Sequence, residues 1–143
     1  MKMLVNKILE KVNSASKKAE KIELLKTHNC LALRDVLKAN FDETIEFLLP
    51  EGTPPHDSEL SREGYAPSDL HRLTKMLKYL VKHGEGEKMK AAKREKIFIQ
   101  LLEGIHPKDA KVVIAIKDKN LKSLYPGITK ALVKEVWPKL IVK

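Results

Sequence analysis

The sequence is poor in the residue types that most often perform chemistry or stack on bases. Its 143 residues include one cysteine, one tryptophan and only 5% aromatic residues. A single cysteine cannot close an internal disulfide, so we expect a reducing compartment. Cys30 is followed by Leu31 and Leu33, a setting typical of a small buried hydrophobic residue rather than a nucleophile. So few rings also argue against a protein that reads a single strand by stacking successive bases.

Long apolar runs and recognised catalytic patterns are also absent from the sequence. No stretch approaches the roughly 18 apolar residues of a membrane helix, and the first residues lack the apolar run of a secretory signal. We therefore expect a cytoplasmic protein without membrane contact. There is no glycine-rich phosphate loop, no metal-ligand spacing and no nucleophile beside a base. The five histidines fall in different predicted elements, so we expect no enzyme activity, no metal and no cofactor.

The formal net charge of +9 is distributed unevenly along the chain. Residues 29–67 carry eight acidic and three basic residues, whereas residues 105–143 carry nine lysines and three acidic residues. A charge distribution of this kind favours a polyanionic partner that meets the C-terminal third of the chain. The alternative is a highly charged surface that serves solubility alone.

Apolar residues recur at helical spacing over most of the chain, which predicts an all-α fold. We expect one domain over residues 1–143, a bundle of about six to seven short helices. Six Pro and Gly residues mark an acidic loop at residues 50–67, and Ser68 opens a helix that ends at Gly84. The apolar stripes of the predicted helices begin near Leu4, Ala19, Leu31, Leu70, Met89, Val112 and Ile128.

Several residues predict where the helices begin and end. Ser14 or Ser16 can cap the second helix, and Asn40 ends the third. Gly104 ends the helix whose apolar stripe begins near Met89, and Pro107 occupies the first position of the next helix. A β-strand over residues 112–116 is the alternative there, but the proline start favours a helix.

The most informative stretch runs from residue 121 to residue 132 and contains a Pro-Gly-Ile turn between two helices. It resembles a helix-hairpin-helix element. In such an element Ile128 is anchored in the core, and the backbone amides around Gly127 face outward at a helix N-terminus, where they can bind phosphate. The second glycine of the motif is Thr129 here, a residue that can cap the last helix instead. A plain tight turn between packed helices is the alternative.

Lysines surround this turn and extend the predicted phosphate-binding site. Backbone amides and lysines contact phosphates without reading base sequence. A second basic patch lies on the helix after residue 88, where three basic residues share one side, although a solvated helix face is the alternative there. The predicted DNA-binding residues are Lys117, Lys119, Lys122, Gly127, Ile128, Thr129, Lys130 and Lys134 at the turn, and Lys90, Lys93 and Arg94 in the second patch.

Four stretches carry a family resemblance: Ile8 to Val12, Ile22 to Lys26, Leu31 to Pro50, and Val112 to Ile141 with its Val-Trp-Pro sequence. In this order they resemble the N-terminal DNA-binding domain of the ATP-dependent DNA ligase of T-even-type bacteriophages. The first three stretches match the first three helices of that domain, and the last matches the segment that closes it. The resemblance implies an all-helical fold that grips duplex DNA across the minor groove and the backbone.

The resemblance does not extend to catalysis. The sequence contains no Lys-x-Asp-Gly adenylation motif, so the catalytic lysine of a ligase has no counterpart here. Residues 48–55 and 98–104 are also similar to small proteins of large tailed phages that have no assigned function. We therefore expect a stand-alone phage protein of the host cytoplasm that binds double-stranded DNA without sequence specificity. The alternatives are a protein that docks on a phage or host replication or transcription factor through residues 50–67 and 88–96, and a virion component.

Overall fold

The computed structural model describes residues 4–50, 52, 79–82 and 87–142. Within these residues the chain forms six α-helices, a 3-10 helix and no β-strand, which confirms the predicted all-helical fold. The acidic loop predicted at residues 50–67 and the helix predicted from Ser68 to Gly84 lie almost entirely outside the described residues. The elements are α1 (Val5–Ser14), α2 (Lys18–Thr27), α3 (Leu31–Phe41), α4 (Ala91–Glu103), α5 (Pro107–Lys117), the 3-10 helix (Leu121–Ser123) and α6 (Lys130–Val136).

Helix α5 lies at the centre of the bundle and contacts α1, α3, α4 and the 3-10 helix. It is buried on almost every side, as expected for a helix that is apolar around most of its circumference. Pro107 occupies its first position, and the ring nitrogen Nδ1 of His106 accepts a hydrogen bond from the Lys108 amide at 3.1 Å. The strand alternative for residues 112–116 is therefore wrong, and the proline signal for a helix start is confirmed.

Helices α1 and α2 form a hairpin that packs on the rest of the bundle. The buried face of α1 recurs at helical spacing. The prediction that Ser14 or Ser16 caps α2 is wrong, because the N-cap residue is Lys17 and no side chain caps this end. One buried polar contact ties α1 to the central helix. The amide and the side-chain nitrogen of Asn6 both donate to Asp109 Oδ1, at 2.9 and 2.8 Å.

Helix α3 continues past Asn40, where the sequence predicts its end. Asn40 is buried within the helix, and its side-chain oxygen accepts a hydrogen bond from the Leu121 amide at 3.1 Å. After Phe41 the chain leaves the helix and makes a turn in which the Ile45 amide donates to the Asp42 carbonyl at 3.1 Å. Residues 46–48 then pair with residues 80–82 through an isolated antiparallel bridge. None of the helices in the described ranges has the length and apolar character needed to cross a membrane.

Candidate nucleic-acid interface

The Pro-Gly-Ile turn is docked against α1 and α2. The amide of Gly127 donates to Asn13 Oδ1 at 2.7 Å, and the Gly127 carbonyl accepts from Lys21 Nζ at 2.9 Å. The Ile128 amide donates to the Tyr125 carbonyl at 3.1 Å. These two amides therefore face the protein, and the prediction that they point outward at phosphate is wrong. We leave Gly127 and Ile128 out of the candidate surface.

The two residues that follow Gly127 connect the turn to α6. Ile128 is buried in the core, as predicted. Thr129 is the N-cap of α6, and its hydroxyl oxygen accepts from the Leu132 amide at 3.2 Å. This confirms the capping role that the sequence allows for Thr129. Because Thr129 carries no charge and its oxygen caps the helix, we leave it out of the candidate surface.

Two of the predicted lysines direct their ammonium groups into the protein. Lys117 is buried, donates to the Pro50 carbonyl at 2.8 Å and pairs with the neighbouring Asp118. Lys119 donates to the Asp42 carbonyl at 2.9 Å and also to the Ala39 carbonyl. Both ammonium groups therefore donate to backbone carbonyl oxygens, of which the Asp42 carbonyl also accepts from the Ile45 amide.

Lys119 reaches this position because it ends α5 in an unusual backbone conformation. Its φ angle of 56° places it in the left-handed region that favours glycine. The amides of Lys119 and Asn120 donate to the carbonyls of Ile116 and Ala115, at 3.0 and 2.8 Å. This is the hydrogen-bond pattern of a Schellman C-cap. The turn directs the Lys119 side chain back across the bundle to the C-terminal end of α3.

Three other lysines lie together at the surface. Lys122 and Lys130 line the same cavity, and Lys134 is one turn after Lys130 on the same side of α6. Lys122 and Lys134 are exposed, and Lys130 is partly exposed. On the other side of α6, Glu135 pairs with Lys18 at 2.6 Å. We call Lys122, Lys130 and Lys134 the basic surface.

The pKa of Lys119 reflects the charges around this surface. Burial of the ammonium lowers the pKa, the nearby carboxylate of Asp42 raises it, and repulsion from Lys130 lowers it again. The net pKa lies below the ordinary lysine value. Lys119 and Lys130 are thus close enough for their charges to repel. An anion bound beside them would reduce that repulsion.

The residues of the second predicted patch have two different roles. Arg94 donates from Nε to the Leu48 carbonyl at 3.3 Å and from Nη1 to the Met89 carbonyl at 2.6 Å, so its guanidinium holds the chain before α4 in place. Lys90 and Lys93 are exposed. The structure thus leaves two lysines of this patch available for a ligand.

Asp42 organises the same region, although the sequence reading did not single it out. Its buried carboxylate accepts hydrogen bonds from the Lys38 ammonium, the Thr44 amide and hydroxyl, and the Val142 amide, at distances of 2.6 to 2.9 Å. Burial alone raises the pKa of Asp42, but these bonds outweigh it and hold the pKa well below its usual range. The signal that could have revealed it is local, because Lys38 and Thr44 lie four residues before and two residues after it.

The described residues contain no group of three or more His, Cys, Asp and Glu side chains placed to hold a metal ion. Two comparisons with known proteins bear on the chain as a whole. A family model matches residues 8–123, about four fifths of the length, and describes a family of unknown function, DUF6433. The matched region includes Lys122 and ends before α6. No curated protein matches the chain.

Proposed function

The chain belongs to the DUF6433 family, whose function is unknown, and we propose that it is a non-catalytic protein that binds double-stranded DNA through the backbone phosphates. The basic surface is the main support for this proposal. Its three lysines come from two elements and present their charge on one side of the protein. Lysine side chains bind phosphates as point charges and read no base sequence, so the binding is expected to be non-specific.

The uneven charge of the sequence and its resemblance to a ligase DNA-binding domain also support DNA as the partner. The fold assigns different roles to the residues expected at the interface. The amides of the Pro-Gly-Ile turn and the ammonium groups of Lys117 and Lys119 hold the protein together. Lys122, Lys130 and Lys134 remain as the groups that contact phosphate. The proposed interface is therefore made of side chains rather than of a helix-hairpin-helix backbone.

Salt dependence measures how many lysines contact the DNA. For duplex DNA the logarithm of the affinity falls with the logarithm of the salt concentration, with a slope of about −0.9 for each phosphate neutralised. Three contacts from the basic surface predict a slope of about −3. If Lys90 and Lys93 reach the same duplex, five contacts predict a slope of about −4.5. A fluorescence-anisotropy titration of a labelled duplex at several salt concentrations distinguishes these cases.

Charge reversal tests the location of the site. The double substitution Lys130→Glu and Lys134→Glu removes two of the three contacts. It should weaken binding on the order of 60-fold at 0.1 M salt, equally for duplexes of different sequence. The matched control is Lys108→Glu with Lys111→Glu, which reverses two exposed lysines on α5 and gives the same change in net charge. This control should retain most of the affinity.

The two double variants also define the results that contradict the proposal. Equal weakening by both would show that net charge alone governs binding and that the basic surface is no specific site. A slope near zero would exclude phosphate contacts. In that case the basic surface would serve a protein partner, and a pull-down with the charge-reversed variant as the negative bait would identify it.

A further inference from the structure

The cavity beside the basic surface has two chemically different walls. One wall is formed by residues 40–47, which include the partly buried rings of Phe41 and Phe47 and the side chain of Ile45. The rest of the lining consists of lysines, and the ammonium of Lys119 lies against this same segment because it donates to the Ala39 and Asp42 carbonyls. The cavity holds about 520 Å³, a volume within the usual range of small-molecule sites. The lysines that line it are Lys117, Lys119, Lys122 and Lys130.

We propose that this cavity binds a nucleoside phosphate, with the base against the phenylalanine rings and the phosphate against Lys122 and Lys130. The nucleoside phosphate is either a free nucleotide or an unpaired nucleotide of bound DNA, and the second case rests on the proposed function. A base presents a flat apolar face that can stack on a phenylalanine ring. A phosphate is an anion that lysine ammonium groups bind as point charges.

The remaining charges in the cavity fix the orientation of the ligand. Glu43 and Glu46 lie on the same wall as the phenylalanines. Together with the buried carboxylate of Asp42, their carboxylates repel a phosphate, which favours a phosphate position beside Lys122 and Lys130. The ammonium of Lys119 is held by carbonyl oxygens, which keeps its positive charge fixed beside the cavity. Lys122 is exposed and also lines the cavity, so its flexible side chain can reach a bound phosphate.

The low aromatic content of the chain is compatible with a site for one nucleotide. A protein that binds an extended single strand needs a series of rings, whereas a single unpaired nucleotide needs one. The sequence contains three phenylalanines, and two of them line this cavity. The third, Phe98, lies buried in the core. Two of the seven aromatic residues of the chain therefore line the cavity that the lysines also line.

The first arm of the test compares three labelled duplexes by anisotropy with the full chain. One is fully paired, one carries a single unpaired adenine nucleotide, and one carries an unpaired abasic nucleotide at the same position. The abasic duplex has the same backbone but no base to stack. Stacking of one base predicts binding of the adenine duplex on the order of tenfold tighter than the abasic one. The variant Phe47→Leu keeps an apolar side chain without a ring and should abolish this preference while leaving the affinity for the paired duplex unchanged.

The second arm titrates deoxyadenosine monophosphate into the wild-type protein and follows the methyl resonances of Ile45 by NMR, so it does not depend on a variant that folds. Saturable binding that shifts these resonances, with no preference among the duplexes, assigns the cavity to a free nucleotide. The inference is overturned if neither the preference for the adenine duplex nor the shift of the Ile45 resonances is seen. It is also overturned if Phe47→Leu still prefers the adenine duplex. The paired duplex reports separately on the proposed function. If the paired duplex does not bind, the proposed DNA-binding function is wrong, and the titration with deoxyadenosine monophosphate still tests nucleotide binding independently.

Discussion

Replacement of Asp42 by asparagine removes a charge on which three parts of the chain converge. Oδ1 of Asp42 accepts from the amide and hydroxyl of Thr44, at 2.9 and 2.6 Å. Oδ2 accepts from Lys38 Nζ and the Val142 amide, both at 2.9 Å. In asparagine one of these oxygens becomes an NH2 group. Whichever way the amide is turned, two donors then face another donor instead of an acceptor.

The expected cost follows from the number and kind of bonds lost. A hydrogen bond to a charged group contributes about 1.5–3 kcal/mol. Two such bonds are lost, but Lys38 is partly exposed and Val142 lies near the C-terminus, so both donors can recover part of the loss with water. We expect Asp42→Asn to lower the free energy of unfolding by about 3 kcal/mol, which for a chain of this size lowers the Tm by roughly 10 °C.

Thermal and urea unfolding followed by circular dichroism measure this change. The matched control is Glu43→Gln, which neutralises an exposed carboxylate one residue away and should change stability by no more than about 0.5 kcal/mol. A loss of less than about 1 kcal/mol in Asp42→Asn would refute the role given to this carboxylate.

The pH dependence of the difference in stability between wild type and Asp42→Asn is an independent check. The pKa of Asp42 in the folded protein lies below its ordinary value of 3.8. The stabilisation is therefore complete above the unfolded pKa and is lost as the pH falls through the folded pKa. The difference in stability between wild type and Asp42→Asn should shrink as the pH falls from about 5 towards 2. A difference that does not change over this range would contradict the assignment.

Two further substitutions test the packing around the Pro-Gly-Ile turn. In Gly127→Ala the new methyl group would meet Asn13 Oδ1 and Lys21 Nζ at 2.8 Å and the Asn13 carbonyl at 3.1 Å. It should lower stability by about 1–3 kcal/mol in urea unfolding, and an unchanged midpoint would show that the turn is not held there. Burial, with the negative charges of Glu10 and Asp109, raises the pKa of Tyr125. The stability linked to that shift is present below the unfolded pKa and is lost as the pH rises through the folded pKa. The Tm of wild type should therefore fall more than that of Tyr125→Phe between pH 8 and pH 11, and equal falls would exclude this linkage.

The fold was predictable where the deciding signals are local in sequence. Pro107 fits the first turn of a helix because its missing amide hydrogen is not needed there. Thr129 carries a hydroxyl that reaches the third residue of α6. The apolar spacing of α1 and α3 places their faces in the core. Asn40 was misleading because its side chain bonds to Leu121, a partner 81 residues away that no local pattern reveals.

The candidate site was less predictable because its residues are assigned roles by distant partners. The Gly127 amide is directed inward by Asn13, although the turn itself was correctly recognised. Lys117 resembles the other lysines in sequence, but it is buried beside a carbonyl 67 residues away. Net charge counts such lysines equally, whereas only exposed ones can neutralise a phosphate. The cavity lined by Phe41 and Phe47 likewise depends on the packing of α3 against the C-terminal third.

The hydrogen bond from Gly127 to Asn13 has a consequence for how the protein is made. Asn13 leaves the ribosome early, and its partner follows 114 residues later. At about 5–20 residues per second, Gly127 is synthesised on the order of ten seconds after Asn13. The delay between the synthesis of Asn6 and that of its partner Asp109, 103 residues downstream, is nearly as long. During that interval the apolar face of α1 lacks its cover from α5. Folding is therefore completed only when most of the chain has emerged, and a nascent chain that stalls before residue 107 is the form most exposed to aggregation and proteolysis.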